Sequence, residues 1–412
     1  MSTSADVHRS ALFTPLTIGP LTLRNRIIKA ATNEGSSRDG LPTKNLVRIH
    51  EAVAAGGAGM TTVAYCAVNE DGRTLPGQLL LNEACVPHLR VLTETVQAQG
   101  AAASAQITHG GCFTFLPPQH SRFPLSSSGG FNKVGILSGM LRKQAMSQAD
   151  MRQVADDFVR AARLAREAGF NAVELHMGHG YLLSQFISPL YNKRGDDYGR
   201  TLENRLRFPA EVLGRVLDAV GKELAVVCKF SITEGVRRGH NAEHGAQIAA
   251  RLEREGAHML VLSAGMNVES MPTMFGNTFS KENRVDTGKP LVTAAVFLKS
   301  LMEPKVDFRE LYLLEHARKV RQAVGLPLAY IGGAKSLAGL EQVLGEGFDA
   351  VAMGRVLIAE PDYPNKLQQG LSRDSICTAC NRCVVTMYSP GGTSCVLGAP
   401  GDAQLNSQYA AG

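Results

Sequence analysis

The chain has 412 residues, 44% of them apolar and 19% charged, with a formal net charge of +6. That composition suits a globular protein with a large core, and the length allows two or three average domains or one large barrel with additions. No block of five or more basic residues occurs, which argues against nucleic acid or an acidic membrane as partner. A mildly positive surface favours an anionic cofactor.

The first ten residues are polar and lack the apolar h-region of a signal peptide. No apolar run approaches the ~20 residues of a spanning helix. A cytoplasmic protein is expected. In that reducing setting the eight cysteines read as free thiols or metal ligands, not disulfides.

Along the chain, Arg26-Ile-Ile-Lys-Ala-Ala31 reads as a first strand. From there one unit recurs: helix, glycine, short apolar strand. It occurs at 54–63, 97–106, 166–175, 218–227, 253–262, 322–331 and 344–353. The glycine supplies the left-handed residue that commonly follows a helix, and the unbroken apolar run suits a strand covered on both faces. Seven such units and the first strand predict an α/β (β/α)8 TIM barrel over residues 1–371, with a cysteine-containing, partly flexible extension over 372–412. The alternative is a doubly wound open sheet. Its phosphate fingerprint is met only by Gly178-His-Gly180-Tyr-Leu-Leu183, which lacks the third glycine and is bulky where a pyrophosphate would approach.

Local signals agree with the barrel. Ser147 and Asp150 have capping-box spacing, and Glu203 and Arg207 stand i,i+4 on the next helix. Segments 110–145 and 265–307 are too long for ordinary connections. Both follow strands, so both are expected at the catalytic mouth, shaping access.

Strand four opens onto His176-Met-Gly-His179-Gly-Tyr181. Two imidazoles and a phenol at a strand mouth form a site for polarising a carbonyl. The imidazole N–H groups stabilise charge building on oxygen. A phenol, with an ordinary pKa of about 10, keeps a proton to give at neutral pH. The loops after strands seven and eight, where barrels often hold a phosphate, begin Ile331-Gly332-Gly333-Ala-Lys-Ser336 and Met353-Gly354-Arg355-Val356. The glycines admit a close backbone approach and Arg355 adds a charged fork.

The block from His176 through Arg194-Gly-Asp-Asp-Tyr198 to Phe208 resembles the signature of the old yellow enzyme family of flavin-dependent reductases. Leu23-Arg-Asn-Arg-Ile27, Gln106-Ile-Thr-His-Gly-Gly111 and Gly354-Arg355 support the resemblance, which spans about residues 13–368. It implies non-covalent FMN at the C-terminal face of the barrel, NAD(P)H as hydride donor and a small unsaturated carbonyl compound as substrate. It implies that Ala31, Thr32 and Ala64 touch the flavin and that Gln106 bonds its pyrimidine edge. Gly332, Gly333, Gly354 and Arg355 would hold the phosphate. His176 and His179 would bind the substrate oxygen, and Tyr181 would donate the proton. Lys229 stands where the family commonly has Arg near flavin N1, keeping the charge without the fork. Asn33 stands where Thr or Cys is usual against the flavin, and Arg200 where a second glycine is usual. Relatives are often oligomers, so a homo-oligomer is among the expectations.

The expected activity is FMN-dependent reduction of activated C=C bonds. One rival is a flavin-dependent amine or C–H dehydrogenase, against which the proton donor Tyr181 argues. The other is a flavin-free, phosphate-binding barrel lyase or isomerase using Lys229 or Glu174, which leaves the histidine pair unexplained. In the extension, Cys377, Cys380, Cys383 and Cys395, spaced x2, x2 and x11, could hold a [4Fe–4S] cluster or zinc. Structural thiols are preferred, because the chain carries none of the nucleotide-binding domains to which cluster-bearing relatives pass electrons. Cys66, Cys85, Cys112 and Cys228 read as buried thiols, and Tyr65 and Tyr330 as packing residues.

Overall fold

The computed structural model describes residues 10–136, 138–279, 305–387 and 391–397. The polar N-terminal segment 1–9, most of the second long insertion (280–304) and the end of the extension (398–412) lie outside the described residues, with the expectations that fall on them.

Eight parallel strands close into a barrel. They are β1 (Ile27–Lys29), β2 (Met60–Ala67), β3 (Ala102–Thr108), β4 (Ala172–Met177), β5 (Ala225–Ser231), β6 (Met259–Ser263), β7 (Leu328–Tyr330) and β8 (Ala350–Met353). Helices α1 (Lys44–Ala55), α2 (Val86–Ala98), α3 (Gln148–Glu167), α4 (Leu202–Val220), α5 (Ala242–Arg254), α6 (Leu314–Ala323) and α7 (Leu337–Gly345) alternate with them. Helix α3 shows why they pack outside the sheet. Its buried residues Met151, Val154, Ala155, Phe158, Ala161, Ala162 and Ala165 recur at i, i+3 and i+4, one apolar stripe facing the strands. The expected capping box forms at its start, Ser147 and Asp150 each bonding the other's backbone N–H. Gly169 follows its end at φ 85°, the left-handed conformation that glycine adopts without strain.

A hairpin that the periodicity did not reveal, Leu16–Ile18 paired with Leu21–Leu23, contributes to the barrel interior. Leu16, Ile18 and Leu23 pack with Ala102, Ala172, Ala225, Ala329 and Ala350, one small residue from each of five strands. The alanines leave the volume that the leucines and isoleucine fill. This interior core is separate from the larger one between strands and helices.

Other expectations need correction. β1 spans only Ile27–Lys29, and Ala30 and Ala31 lie in the irregular segment past its end. Gly221 stays right-handed at φ −64°, capping α4 through a bond to Leu217 O. The Glu203–Arg207 pair gives way to other partners: the Arg207 guanidinium lies over the Tyr198 ring at 5.9 Å, and its Nη2 donates to Asn204 Oδ1 at 3.4 Å. The first long insertion carries a small three-stranded sheet, Leu125–Ser126, Gly130–Phe131 and Arg142–Ala145. Among the described residues no helix is long and apolar enough to cross a membrane.

Candidate active site

Strand register sets the floor of the site. Glu174 on β4 stands opposite Gln106 on β3, and His176 stands opposite Lys229 on β5. Gln106 Nε2 donates to Glu174 Oε1 at 2.6 Å, which leaves the Gln106 carbonyl oxygen as an acceptor. Lys229 Nζ donates to Ala31 O at 3.1 Å. Burial pushes the Glu174 carboxyl up and the Lys229 ammonium down, each opposed by the other's charge. A second buried pair, Lys29 and Glu34, lies behind Thr32: Lys29 Nζ donates to Thr32 Oγ1, which donates to Glu34 Oε1, both at 3.1 Å.

The chain leaves β4 through a turn that brings His176, His179 and Tyr181 together. His179 holds φ 61° and Gly180 φ 83°. For a histidine that conformation is strained, at about 1–3 kcal/mol, and the surroundings enforce it. His179 N–H donates to Ser231 Oγ at 3.2 Å, and His179 O accepts from Asn267 N–H at 3.1 Å. The His176 ring lies 4.9 Å from that of His179 and 4.6 Å from that of Tyr181, both edge-on. His176 Nδ1 accepts from Gly178 N–H at 3.2 Å, and its Nε2 is 3.3 Å from His179 Nδ1. His179 Nε2 is 2.7 Å from Ser263 Oγ. Burial pushes both imidazoles well below their ordinary range, reinforced by the Lys229 charge. Both are therefore neutral at pH 7.

One cavity at the C-terminal ends of the strands takes in these three rings, Gln106, Lys229, Ala31, Thr32, Asn33, Gly332, Gly333, Gly354 and Arg355. From β2 its lining takes Tyr65 rather than Ala64, whose N–H lies 3.4 Å from Glu34 Oε2. Tyr65, assigned to packing by sequence, is thus a wall of the site. So are Phe113 and Phe115 from the first long insertion, and Phe308 and Tyr312 from the stretch between the second insertion and α6; none carried a readable signal. Ser263 was also missed; its only signal is its place at the end of β6.

Arg355 is held differently from expectation. Its Nη1 donates to Asn277 Oδ1 at 3.2 Å and Ala379 O at 3.3 Å, and also to Asn381 Oδ1; Nη2 donates to Phe275 O at 2.8 Å. The guanidinium thus ties the extension to the barrel mouth. Cys377 and Cys383 of the extension line the cavity too. Burial pushes the Cys383 thiol up to about 12 and the Cys377 thiol up as well, with Cys380 and Cys395 close enough to add to both shifts. Among the described residues, no three His, Cys, Asp or Glu side chains are arranged to hold a metal ion.

The lining fits a flat ring system carrying a phosphate. Gly332, Gly333 and Gly354 give their N–H groups to no protein acceptor among the described residues. A Cβ on Gly333 would come within 2.9 Å of Tyr312 Cδ1 and 3.0 Å of Phe308 Cε2, so only bare backbone fits that turn. Free amides in a glycine cradle suit an anion, and the buried amide and ammonium of Gln106 and Lys229 suit the polar edge of a ring.

Fold and site together define a (β/α)8 oxidoreductase built around a flavin. The chain belongs to the NADH:flavin oxidoreductase / NADH oxidase family, whose model matches residues 11–374. It is 38% identical to the 4,4'-dithiodibutanoate disulfide reductase of Rhodococcus erythropolis over 94% of this chain and 95% of that one. It is 32% identical to the NADH oxidase of Thermoanaerobacter brockii over 91% of this chain but only 53% of the relative's length. The fold matches that of the old yellow enzyme homologue from Zymomonas mobilis with a TM-score of 0.68 at 22% identity, covering 90% of this chain and 96% of that one. The protein is therefore an NAD(P)H:flavin oxidoreductase with FMN as its cofactor.

Proposed function

We propose that the protein reduces electron-poor C=C bonds conjugated to a carbonyl, with NAD(P)H as the source of hydride. The observation that carries this reading is the convergence of His176, His179 and Tyr181 in one buried cavity with the glycine cradle. FMN, when bound, supplies hydride transfer to the β-carbon of the alkene. As hydride arrives, negative charge moves to the carbonyl oxygen. Imidazole N–H groups of His176 and His179 stabilise it in a cavity lined by Tyr65, Phe113 and Phe115. Tyr181 gives its hydroxyl proton to the α-carbon. Gly332, Gly333 and Gly354 hold the cofactor phosphate through backbone N–H groups. Gln106 and Lys229 hold the polar edge of its ring, and Ala31, Thr32 and Asn33 line the same wall. The test is turnover: NAD(P)H oxidation by the FMN-loaded protein should accelerate when a cyclic enone is added, and no acceleration by any enone or enal would refute the reading.

A second reading has support of its own, since the relative that matches nearly end to end is named a disulfide reductase. We propose reduction of an organic disulfide such as 4,4'-dithiodibutanoate as the competing activity. Parallel assays with the enone and the disulfide decide between them by kcat/KM.

A further inference from the structure

Three hydrogen bonds at the histidine pair form a directional chain. Gly178 N–H can only donate, so His176 Nδ1 accepts and a neutral His176 carries its proton on Nε2. That N–H faces His179 Nδ1 at 3.3 Å, and without a ligand it donates there. His179 then carries its own proton on Nε2, pointing to Ser263 Oγ at 2.7 Å. Closed in this way, the pair offers no N–H to a substrate. His176 points into His179, and His179 points into the serine.

The same two nitrogens, 3.3 Å apart, are spaced to donate together to one oxygen placed between and before them. That requires the proton of His179 on Nδ1 and a bare Nε2. Only a group that both accepts and donates can satisfy Nε2 in the two states, and a hydroxyl does so by rotating. We infer that Ser263 is the positioning residue that sets which nitrogen of His179 carries the proton, switching the pair from a closed chain to two converging donors when an oxyanion is present. The inference rests on the reading that the pair receives a substrate oxygen. Proton balance is simple. His179 loses one proton at Nε2, gains one at Nδ1 and stays neutral, while the serine changes from acceptor to donor. Neutrality matters because a doubly protonated ring would donate at both ends without the serine. Burial and the nearby Lys229 charge oppose that ring. Two other serine hydroxyls near this turn are occupied: Ser231 Oγ accepts from His179 N–H and donates to Gly265 O, and Ser184 Oγ accepts from Gly180 N–H.

The probe is para-nitrophenol, bound as its phenolate to FMN-loaded protein containing ¹⁵N-histidine; His179→Gln assigns the resonances. Without the phenolate, His179 should show a protonated Nε2 and a bare Nδ1. With it, the two should exchange character while His176 keeps a bare Nδ1. Ser263→Ala should bind the phenolate about tenfold more weakly, the equivalent of one hydrogen bond, and fail to show the exchange. Ser263→Thr should restore both, and retained FMN absorbance shows that the variants fold. Phenolate bound to the parent protein without the exchange, or parent-like affinity and exchange in Ser263→Ala, would overturn the inference alone. A parent protein that binds no phenolate would overturn the oxygen-site reading and the inference with it.

Discussion

Tyr65 and Tyr181 pack with ring centroids 5.3 Å apart, and their hydroxyls are linked by a hydrogen bond whose direction is set from outside the pair. Gln78 Oε1 can only accept, so Thr74 Oγ1 donates to it at 3.0 Å. Thr74 therefore accepts from Tyr65, whose hydroxyl is 2.7 Å away. Tyr65 in turn accepts from Tyr181. The proposed proton donor is thus bonded to a buried neighbour.

Two variants test this arrangement. Tyr181→Phe should slow alkene reduction by roughly 10²–10⁴, the usual worth of a general acid, and Tyr65→Phe by about tenfold, the worth of one hydrogen bond. Reduction of the flavin by NAD(P)H needs no phenol, so its rate should be unchanged in both. Stopped-flow measurement of the two half-reactions separates these outcomes, and equal slowing of both would remove Tyr181 from its role.

The histidines should matter in the same half-reaction. Replacing His176 or His179 by Ala removes one donor to the developing oxyanion and should lower the alkene-reduction rate by roughly 10²–10³. Removing both should cost less than the product of the two, because they bond each other at 3.3 Å. Strict additivity in the double variant would show that the two rings act independently.

The glycine cradle gives a binding test. Gly333→Ala would place a Cβ about 3 Å from two aromatic rings at a φ of 83°, which side chains rarely adopt. FMN affinity, read by quenching of its fluorescence, should fall at least about tenfold, the equivalent of roughly 1.4 kcal/mol. Undiminished affinity would place the phosphate elsewhere.

Acid should destabilise the fold earlier than carboxylates alone would. Burial pushes the imidazoles of His50, His176 and His179 well down and that of His109 to about 4. Unfolded, each titrates at about 6.5. Between the two values the unfolded chain binds the extra proton, so stability falls as pH drops below about 6.5, by roughly 1.4 kcal/mol per pH unit for each group. For His109 the loss runs down to about pH 4. The His258 imidazole, also lowered by burial, adds to the trend, while the Glu34 and Glu174 carboxyls, pushed up by burial, oppose it, so five groups act against two. Urea unfolding at pH 7.5, 6 and 5 checks the sign; flat stability across that range would refute it.

Much of this molecule was legible before folding. Glycine-punctuated units announced the barrel because helix ends and buried strands are local events, governed by backbone conformation and unbroken apolar runs. His176, His179 and Tyr181 were legible because they lie within six residues at one strand end. Their meeting depends on a single turn.

What stayed hidden depends on partners distant in the chain. Ser263 reaches His179 across 84 positions, and Arg355 is captured by Asn277 and Ala379 rather than left as a free fork. The hairpin at 16–23 fills a barrel interior that only the closed sheet creates. The sequence by itself determined the repeat, the strand ends and the reacting groups offered there. Tertiary structure alone decided which nitrogen faces which hydroxyl. Hydrogen bonds act over about 3 Å, and no pattern along the chain encodes that distance.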